Sequence, residues 1–247
     1  MKTLDRGLEL MECIIEAQEP VSILALMNLT KLDRSTIYRY IKVLVERRYV
    51  KAAPESQGFV PAFRIMELSG AILTHLSIRD EVRPHLLAMS SAFSLTAHLG
   101  IRDGDRVLYL DKVESRQSLP LISRIGSRSP LYCTSLGKVF LALEERATTS
   151  ELISTLSFER RTDNTITTVE ALSEELEKIR RQGYAIDNEE NEIGVYCMAA
   201  PVIGVAGRIC AAISVSGLRR QFEDEQAIVT ALRGHVAEIS QALGGGS

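Results

Sequence analysis

Residues 32–50, LDRSTIYRYIKVLVERRYV, constrain the fold more tightly than any other stretch of the chain. Asp33 is placed to cap a helix running to about Arg47, and Ile37, Ile41 and Leu44 fall on one face of it at i, i+4, i+7. Arg34, Ser35, Tyr38, Arg39 and Lys42 share the opposite face, with Thr36 at its edge. A helix this short is marginal alone, so neighbours must cover its apolar stripe. Upstream, residues 3–17 read as a first helix whose stripe is Leu4, Leu8, Met11 and Ile15. The segment EPVS then breaks it, and Ser22 can cap a second helix over ILALMNL. Downstream, YVKA, the turn-rich APESQG and FVPAF read as two short strands and their loop. Three helices followed by a β-hairpin make a winged helix-turn-helix.

Charge supports that reading. The 247-residue chain carries a formal net charge of −3, yet residues 20–52 hold seven bases against two acids, a local +5, while residues 61–247 sum to −4. A basic segment on an acidic body turns toward a polyanion and keeps the rest away. The N-terminal half of such a third helix enters a major groove, so Arg34, Ser35, Thr36, Tyr38, Arg39 and Lys42 are candidates for base edges and phosphates. Arg47, Arg48, Lys51 and Gln57 on the hairpin can grip the backbone, which would make affinity salt-sensitive. Two plainer alternatives stand beside this: a basic face that is merely solvated, and Tyr38 as a packing residue.

Residues 62–78 read as a linker helix, followed by a second helical segment over IRDEVRPHLLAMSSAFS. Beyond it, TAHLGI and RVLYLDKV flank the turn RDGD, then come the strand LPLISRI and helices at Ser135–Glu144 and Val169–Gln182. Strands YAID, VYCMAAPVI and RICAAISVSG follow, with a closing helix from Glu223 to Leu243 and a linker-like GGGS tail, 244–247. Such hairpins favour an antiparallel sheet flanked by helices, an α+β domain over residues 79–243. With 45% hydrophobic and 25% charged residues, the chain has no apolar run near the ~20 residues of a membrane span, and residues 1–20 lack a signal peptide's pattern. A cytoplasmic protein without a membrane partner is expected. Cys13, Cys133, Cys197 and Cys210 show no C-x-x-C spacing and His75, His85, His98 and His235 no i, i+4 pair, so neither zinc, a disulfide framework nor a cofactor is expected.

A ligand pocket is expected in the second domain. In RICAAISVSG, Ala211, Ile213 and Val215 alternate with Cys210, Ala212, Ser214 and Ser216, giving one apolar face and one small, polar face. If Ile203 opposes Arg208, Cys197 opposes Ser214 and Val195 opposes Ser216. A helix starting at Thr134 or Ser135 leaves the N–H groups of Ser135, Leu136 and Gly137 unpaired, a natural host for a carboxylate. Asp187 can accept from a ligand hydroxyl, as a sugar acid would supply. The plainer alternatives are a core thiol at Cys197, ordinary strand residues at Ser214 and Ser216, and a loop cap at Asp187. DNEENE reads as a solvated acidic loop, braced by Arg161, and Asn164 and Thr165 as turn organisers. An enzyme with Cys197 as nucleophile beside His98 and Asp187 lacks an adjacent base or cation in the local sequence. A winged helix used only for protein interaction predicts no salt-dependent DNA binding.

The segments LDRGLELMECI, STIYRYIKVLVERRYV, SRIGSRSPLYCTSLGKVFLA, RTDNTIT, IRRQGYAIDNEENEIGVYCMAAPV and AAISVSG occur in the order and spacing of one family. Over nearly its whole length the chain resembles the isocitrate lyase regulator (IclR) family of bacterial transcription factors, and SRIGSRSPLYCTSLGKV looks like its sugar-acid, ketodeoxygluconate-type branch. The resemblance implies a winged helix-turn-helix over 1–61, the linker helix, and a GAF-like effector-binding domain. It further implies double-stranded operator DNA as a partner, repression more than activation, a homodimer or homotetramer, and no enzymatic activity. The family's small-acid pocket maps onto Ser135, Leu136, Asp187, Cys197, Ser214 and Ser216, with Leu121 on its apolar side, and favours a sugar acid or keto acid. Lys31 and Arg48 stand where the family usually has glycine. If either position needs φ > 0, the side chain costs on the order of 1 kcal/mol there, which phosphate contact by the added charge would offset.

Overall fold

Helix α1 (Lys2–Glu16) opens the computed structural model, which describes residues 2–54, 58–68, 77–115 and 123–245. After β1 (Val21–Ser22), Ser22 accepts the Ala25 N–H and starts α2 (Ile23–Thr30), and Asp33 accepts the Thr36 N–H and starts α3 (Arg34–Glu46). Leu10 and Ile14 of α1 meet Val21, Leu26, Ile37, Ile41 and Val50 in one core, with Leu44 packed against it. The expected α1 stripe is therefore wrong: Leu4 is 72% exposed and Leu8 44%, while Met11 and Ile15 are only partly buried. The helix carries two apolar stripes, and periodicity alone does not say which one its neighbours cover. Strands β2 (Val50–Ala52) and β3 (Gly58–Pro61) form the wing. Sequence reading missed β1, whose two residues pair with Phe59 and Gly58 and complete a sheet of order β1-β3-β2. Gln57 lies outside the described residues. So do residues 69–76 of the expected linker helix, whose residues 64–68 are helical and whose last two, 77 and 78, belong to the helix that follows.

Contacts divide the chain into two units, Met1–Leu76 and Ser77–Ser247. The second begins with α4 (Ser77–Phe93) and continues through β4 (Thr96–Asp103), β5 (Arg106–Val113), β6 (Arg128–Pro130), α5 (Ser135–Leu143), α6 (Arg146–Thr155) and α7 (Val169–Gln182). Strands β7 (Ala185–Asn188), β8 (Val195–Ile203) and β9 (Ile209–Leu218) and helix α8 (Glu225–Ala242) complete it. The six strands form an antiparallel sheet of order β6-β5-β4-β9-β8-β7. Helices α5 and α7 share a core with Val107, Ala199 and Ala212 on one face. Helices α4 and α8 pack on each other and on the sheet, and Arg83 of α4 donates to both oxygens of the fully buried Asp111 on β5 at 2.8 Å.

Three expectations need correction. The strand LPLISRI does not form where described: Ser123 and Arg124 are irregular and Ile125–Gly126 turn, while β6 begins at Arg128. Helix α6 was missed, its polar-rich RATTSELIST offering little periodicity. Gly244 and Gly245 bond the carbonyls of Gln241 and Ser240, so the first half of the expected tail closes α8.

The β8–β9 register also differs from expectation. Cys197 opposes Ser216, Val195 opposes Leu218, and Ala199 opposes Ser214. Ile203 pairs with Ile209 rather than Arg208, and a further shift falls between Val202 and Ile203. Two single-residue slips add to two, so every side chain keeps its expected face.

Candidate DNA-reading face and effector cavity

On α3 the core residues Ile37 and Ile41 turn inward, and Arg34, Ser35, Tyr38, Arg39 and Lys42 stand exposed, with Thr36 half-buried. Asp33 organises the start of this face. Its carboxylate accepts the Ser35 hydroxyl at 2.5 Å, the Thr36 hydroxyl at 2.7 Å and the Thr36 N–H at 3.0 Å, and those hydroxyls hold it well below the usual carboxylate range. Ser35 and Thr36 are thus engaged by the cap before any partner arrives. The Arg34 guanidinium lies 5.6 Å from the Tyr38 ring centre and donates to its hydroxyl at 3.4 Å, so Tyr38 stays on the exposed face. Lys42 lies 3.9 Å from Glu46, and Lys51 on β2 sits 5.2 Å from the Phe63 ring centre.

Lys31 and Arg48 both adopt left-handed backbone, at φ 57° and 63°. Lys31 ends α2 through its N–H to the Met27 carbonyl; Arg48 follows α3, exposed, 3.6 Å from Glu67. Each occupies a conformation that glycine adopts without strain, and each presents a cation there.

In the second unit, cross-strand rows build one wall of a cavity of about 270 Å³. Asp187, Cys197, Ser216 and Thr96 form one row across β7, β8, β9 and β4; Ala199, Ser214 and His98 form the next. A third row has Ala212 and Gly100, small enough to admit Leu136 from the helix above. The opposite wall is the start of α5. Thr134 caps it, accepting the Gly137 N–H at 3.1 Å and donating to the Pro130 carbonyl at 2.7 Å. Gly137 is therefore not free, contrary to expectation, which leaves the Ser135 and Leu136 amides as the helix's leading donors without a partner among the described residues. A Cβ at Gly137 would collide with the Leu131 backbone, so only glycine brings this turn so close.

The cavity brings together Ser135, Leu136, Asp187, Cys197, Ser214 and Ser216; Leu121 lies outside the described residues. It is also lined by Arg106, Arg128 and Arg161, which sequence reasoning did not place there, and by His98, which it set beside Cys197 and Asp187 only in the enzyme alternative. The β4–β9 pairing would have found His98, because Thr96, His98 and Gly100 are the cross-strand partners of Ser216, Ser214 and Ala212 and alternate onto the same face. Arg128 belongs to the missed strand β6.

Asp187 is buried and its carboxyl is pushed up to about 7, first by burial and then by the Glu190 carboxylate, although it accepts the Glu190 N–H at 2.8 Å. It therefore does cap the following loop. That loop is only partly solvated: Glu190 is buried and accepts from Lys138 Nζ at 2.5 Å, and Lys138 is itself fully buried on α5. The Thr162 and Thr165 hydroxyls bond the Glu189 and Glu190 carbonyls at 2.6 and 2.7 Å, and Asn164 bonds that of Asn188 at 3.0 Å. RTDNTIT thus clamps the acidic loop, while Arg161 faces Glu159 at 3.8 Å and the cavity rather than the loop. His98 shares a hydrogen bond of 2.9 Å between Nε2 and the Ser123 hydroxyl; burial, then Lys112, pushes its ring down to about 3. Its buried Nδ1 meets no partner among the described residues. Burial and Asp187 raise the Cys197 thiol well above its ordinary range, the opposite of what a nucleophile needs.

Comparison with known proteins finds matches along both parts of the chain. The IclR helix-turn-helix domain model matches residues 3–54, and the model of the bacterial transcriptional regulator IclR C-terminal domain matches residues 70–242. The transcriptional regulator KdgR of Escherichia coli is 32% identical across 92% of this chain and 87% of its own length. The DNA-binding transcriptional repressor YiaJ of the same organism is 31% identical across 98% of this chain and 88% of its own. The crystal structure of Thermotoga maritima IclR superposes with a TM-score of 0.83 at 35% identity, covering 99% of each chain. None of the described helices is long and apolar enough to cross a membrane. The chain belongs to the IclR family of bacterial transcriptional regulators.

Proposed function

We propose that this regulator is a repressor that binds double-stranded operator DNA through Arg34, Ser35, Thr36, Tyr38, Arg39 and Lys42 of α3, with Arg48 and Lys51 on the phosphates. It holds a small carboxylate metabolite, a sugar acid or keto acid, in the cavity of the second unit. Residues 1–61 act as the reader, 62–78 as the linker and 79–243 as the sensor. The chain works as a homodimer or homotetramer whose paired α3 helices meet half-sites about one helical turn apart.

The observation that carries the effector reading is the make-up of the cavity. The Ser135 and Leu136 amides and the Arg106, Arg128 and Arg161 guanidiniums suit a carboxylate, each charge-assisted bond contributing roughly 1.5–3 kcal/mol. The Ser214 and Ser216 hydroxyls, Asp187 and the His98 Nδ1, which has no partner among the described residues, suit ligand hydroxyls. An aromatic acid would leave most of those groups unpaired.

Thermal-shift screening against small carboxylates tests the cavity. A sugar or keto acid at 100 times its Kd should stabilise the chain by about 2.7 kcal/mol, and Ser214→Ala with Ser216→Ala should remove that gain. Stabilisation by benzoates alone would overturn the chemical assignment. For the DNA face, Arg39→Ala should weaken operator binding and reduce the slope of log K against log salt by about 1, whereas an unchanged slope would remove Arg39 from the interface.

A further inference from the structure

The second unit holds a cluster of ligating side chains apart from the cavity. His85 on α4 and His235 on α8 bring their Nδ1 atoms to 2.9 Å, and Glu238, one turn along α8, places Oε2 3.7 Å from His85 Nδ1. All three donor atoms lie within 4.8 Å of one another. We propose that His85, His235 and Glu238 bind a divalent transition-metal cation of borderline softness, Zn²⁺ or a near neighbour, and thereby clip α4 to α8.

The argument is geometric. Two imidazole nitrogens at 2.9 Å cannot both carry a proton, so at least one lone pair points into the gap. Tetrahedral coordination at bond lengths of 2.0–2.2 Å separates neighbouring donors by roughly 3.3–3.6 Å. The observed 2.9 and 3.7 Å lie on either side of that spacing, so small rotations of the side chains seat the ion. His235 and Glu238 are three residues apart on one helix and project to one side, while His85 approaches from the helix packed against it. The side chain of Glu238 is 72% exposed and that of His85 18%, so the cluster is open to exchange with solvent and a water can complete the shell. Two nitrogens and one carboxylate favour zinc, cobalt or nickel over magnesium and calcium, which take oxygen ligands. Counting i, i+4 histidine pairs could not find this set, because its two histidines lie 150 residues apart along the chain.

Calorimetric titration of the full chain, stripped by a chelator and then supplied with ZnCl₂, tests the proposal. One equivalent per chain should bind; His235→Gln should weaken binding at least tenfold and Glu238→Gln measurably, while MgCl₂ should not compete. Co²⁺ in place of zinc should give d–d bands without a thiolate charge-transfer band, which separates this site from any formed by the four cysteines. Sub-stoichiometric binding, a thiolate band, or wild-type affinity in His235→Gln would overturn the site and leave a plain histidine–histidine hydrogen bond. If His235→Gln does not fold, as judged by metal-free melting, the solvent-exposed Glu238→Gln carries the test, and unchanged affinity there overturns it.

Discussion

The polar side chains of α3 stand in water, whereas His98, Asp187, Ser214 and Ser216 on the cavity wall, and Lys138 on α5, are buried beneath a sheet and its helices. Arg34, Arg39 and Lys42 are exposed, and their partners are local: Arg34 meets Tyr38 one turn on, and Lys42 meets Glu46 at 3.9 Å. Exposed pairs of this kind contribute between nothing and about 1 kcal/mol. Lys138, by contrast, is fully buried between Glu190 at 2.5 Å and Glu175 at 3.6 Å. The first region can lose a charge and change only what its surface attracts. The second cannot, because the partner of each deleted charge stays behind without water. Deleting a charge therefore reports binding on α3 and folding at the buried Lys138 cluster.

The largest effect that would break this contrast belongs to Lys138. Replacing it with methionine should destabilise the second unit by about 3–5 kcal/mol, because Glu190 is left charged and enclosed. Arg39→Ala should stay within about 0.5 kcal/mol of the parent, since it touches no core. Urea unfolding measures both. Adding Glu190→Gln to Lys138→Met should recover part of the loss. Equal costs for Lys138→Met and Arg39→Ala would end the distinction between the two regions.

A smaller effect sharpens it, through pH. The Asp187 carboxyl is raised from 3.8 to about 7, so the folded state binds that proton more tightly, and its contribution to stability is lost as pH rises from about 4 to 7. His98 is lowered from 6.5 to about 3, so its contribution is complete above about pH 6.5 and is lost as pH falls toward 3. Between pH 4 and 6.5 the two slopes oppose each other. Asp187→Asn keeps an oxygen for the Glu190 N–H and uncovers the His98 slope, so acidification should destabilise this variant more than the parent. His98→Gln should do the reverse, each by on the order of 1–3 kcal/mol across the window. Unfolding free energies at several pH values decide it; parallel profiles for all three proteins would refute the paired titration.

How much of this was legible in sequence follows from the same contrast. The cap at Asp33, the Ile37 and Ile41 stripe and the exposed basic face all depend on residues within one helix, where a period of 3.6 carries the information. The polar face of β9 was equally legible, because alternation is local. Its partners were not. Cys197 opposes Ser216 instead of Ser214 because turn length and a bulge set the register, and neither leaves a mark in hydrophobic pattern. His98, Arg128 and Lys138 reach their sites through pairings across 25 residues or more, such as His98 with Ser123 and Lys138 with Glu190. The α1 stripe failed for a related reason: two faces were apolar, and only the tertiary neighbours chose Leu10 and Ile14.

The exposed unit holds one feature that would be expected of a buried site, which is backbone strain. Lys31 and Arg48 sit at φ 57° and 63°, where a Cβ is unfavourable, and neither is enclosed by packing. Lys31→Gly and Arg48→Gly should therefore each raise stability by up to about 1 kcal/mol, less whatever freedom glycine returns to the unfolded chain. Arg48→Gly should gain less than Lys31→Gly, because it also gives up the 3.6 Å pair with Glu67, an exposed contact of small value. If the cations are kept for phosphate contact, operator affinity should fall in both variants and the salt slope should shrink by about 1 for each. Unfolding midpoints and salt-dependent binding isotherms on the same preparations separate the two consequences. More stable variants with unaltered operator binding would leave the strain unconnected to DNA, whereas stability and binding that move in opposite directions would tie the two glycine-less turns to the reading of the operator.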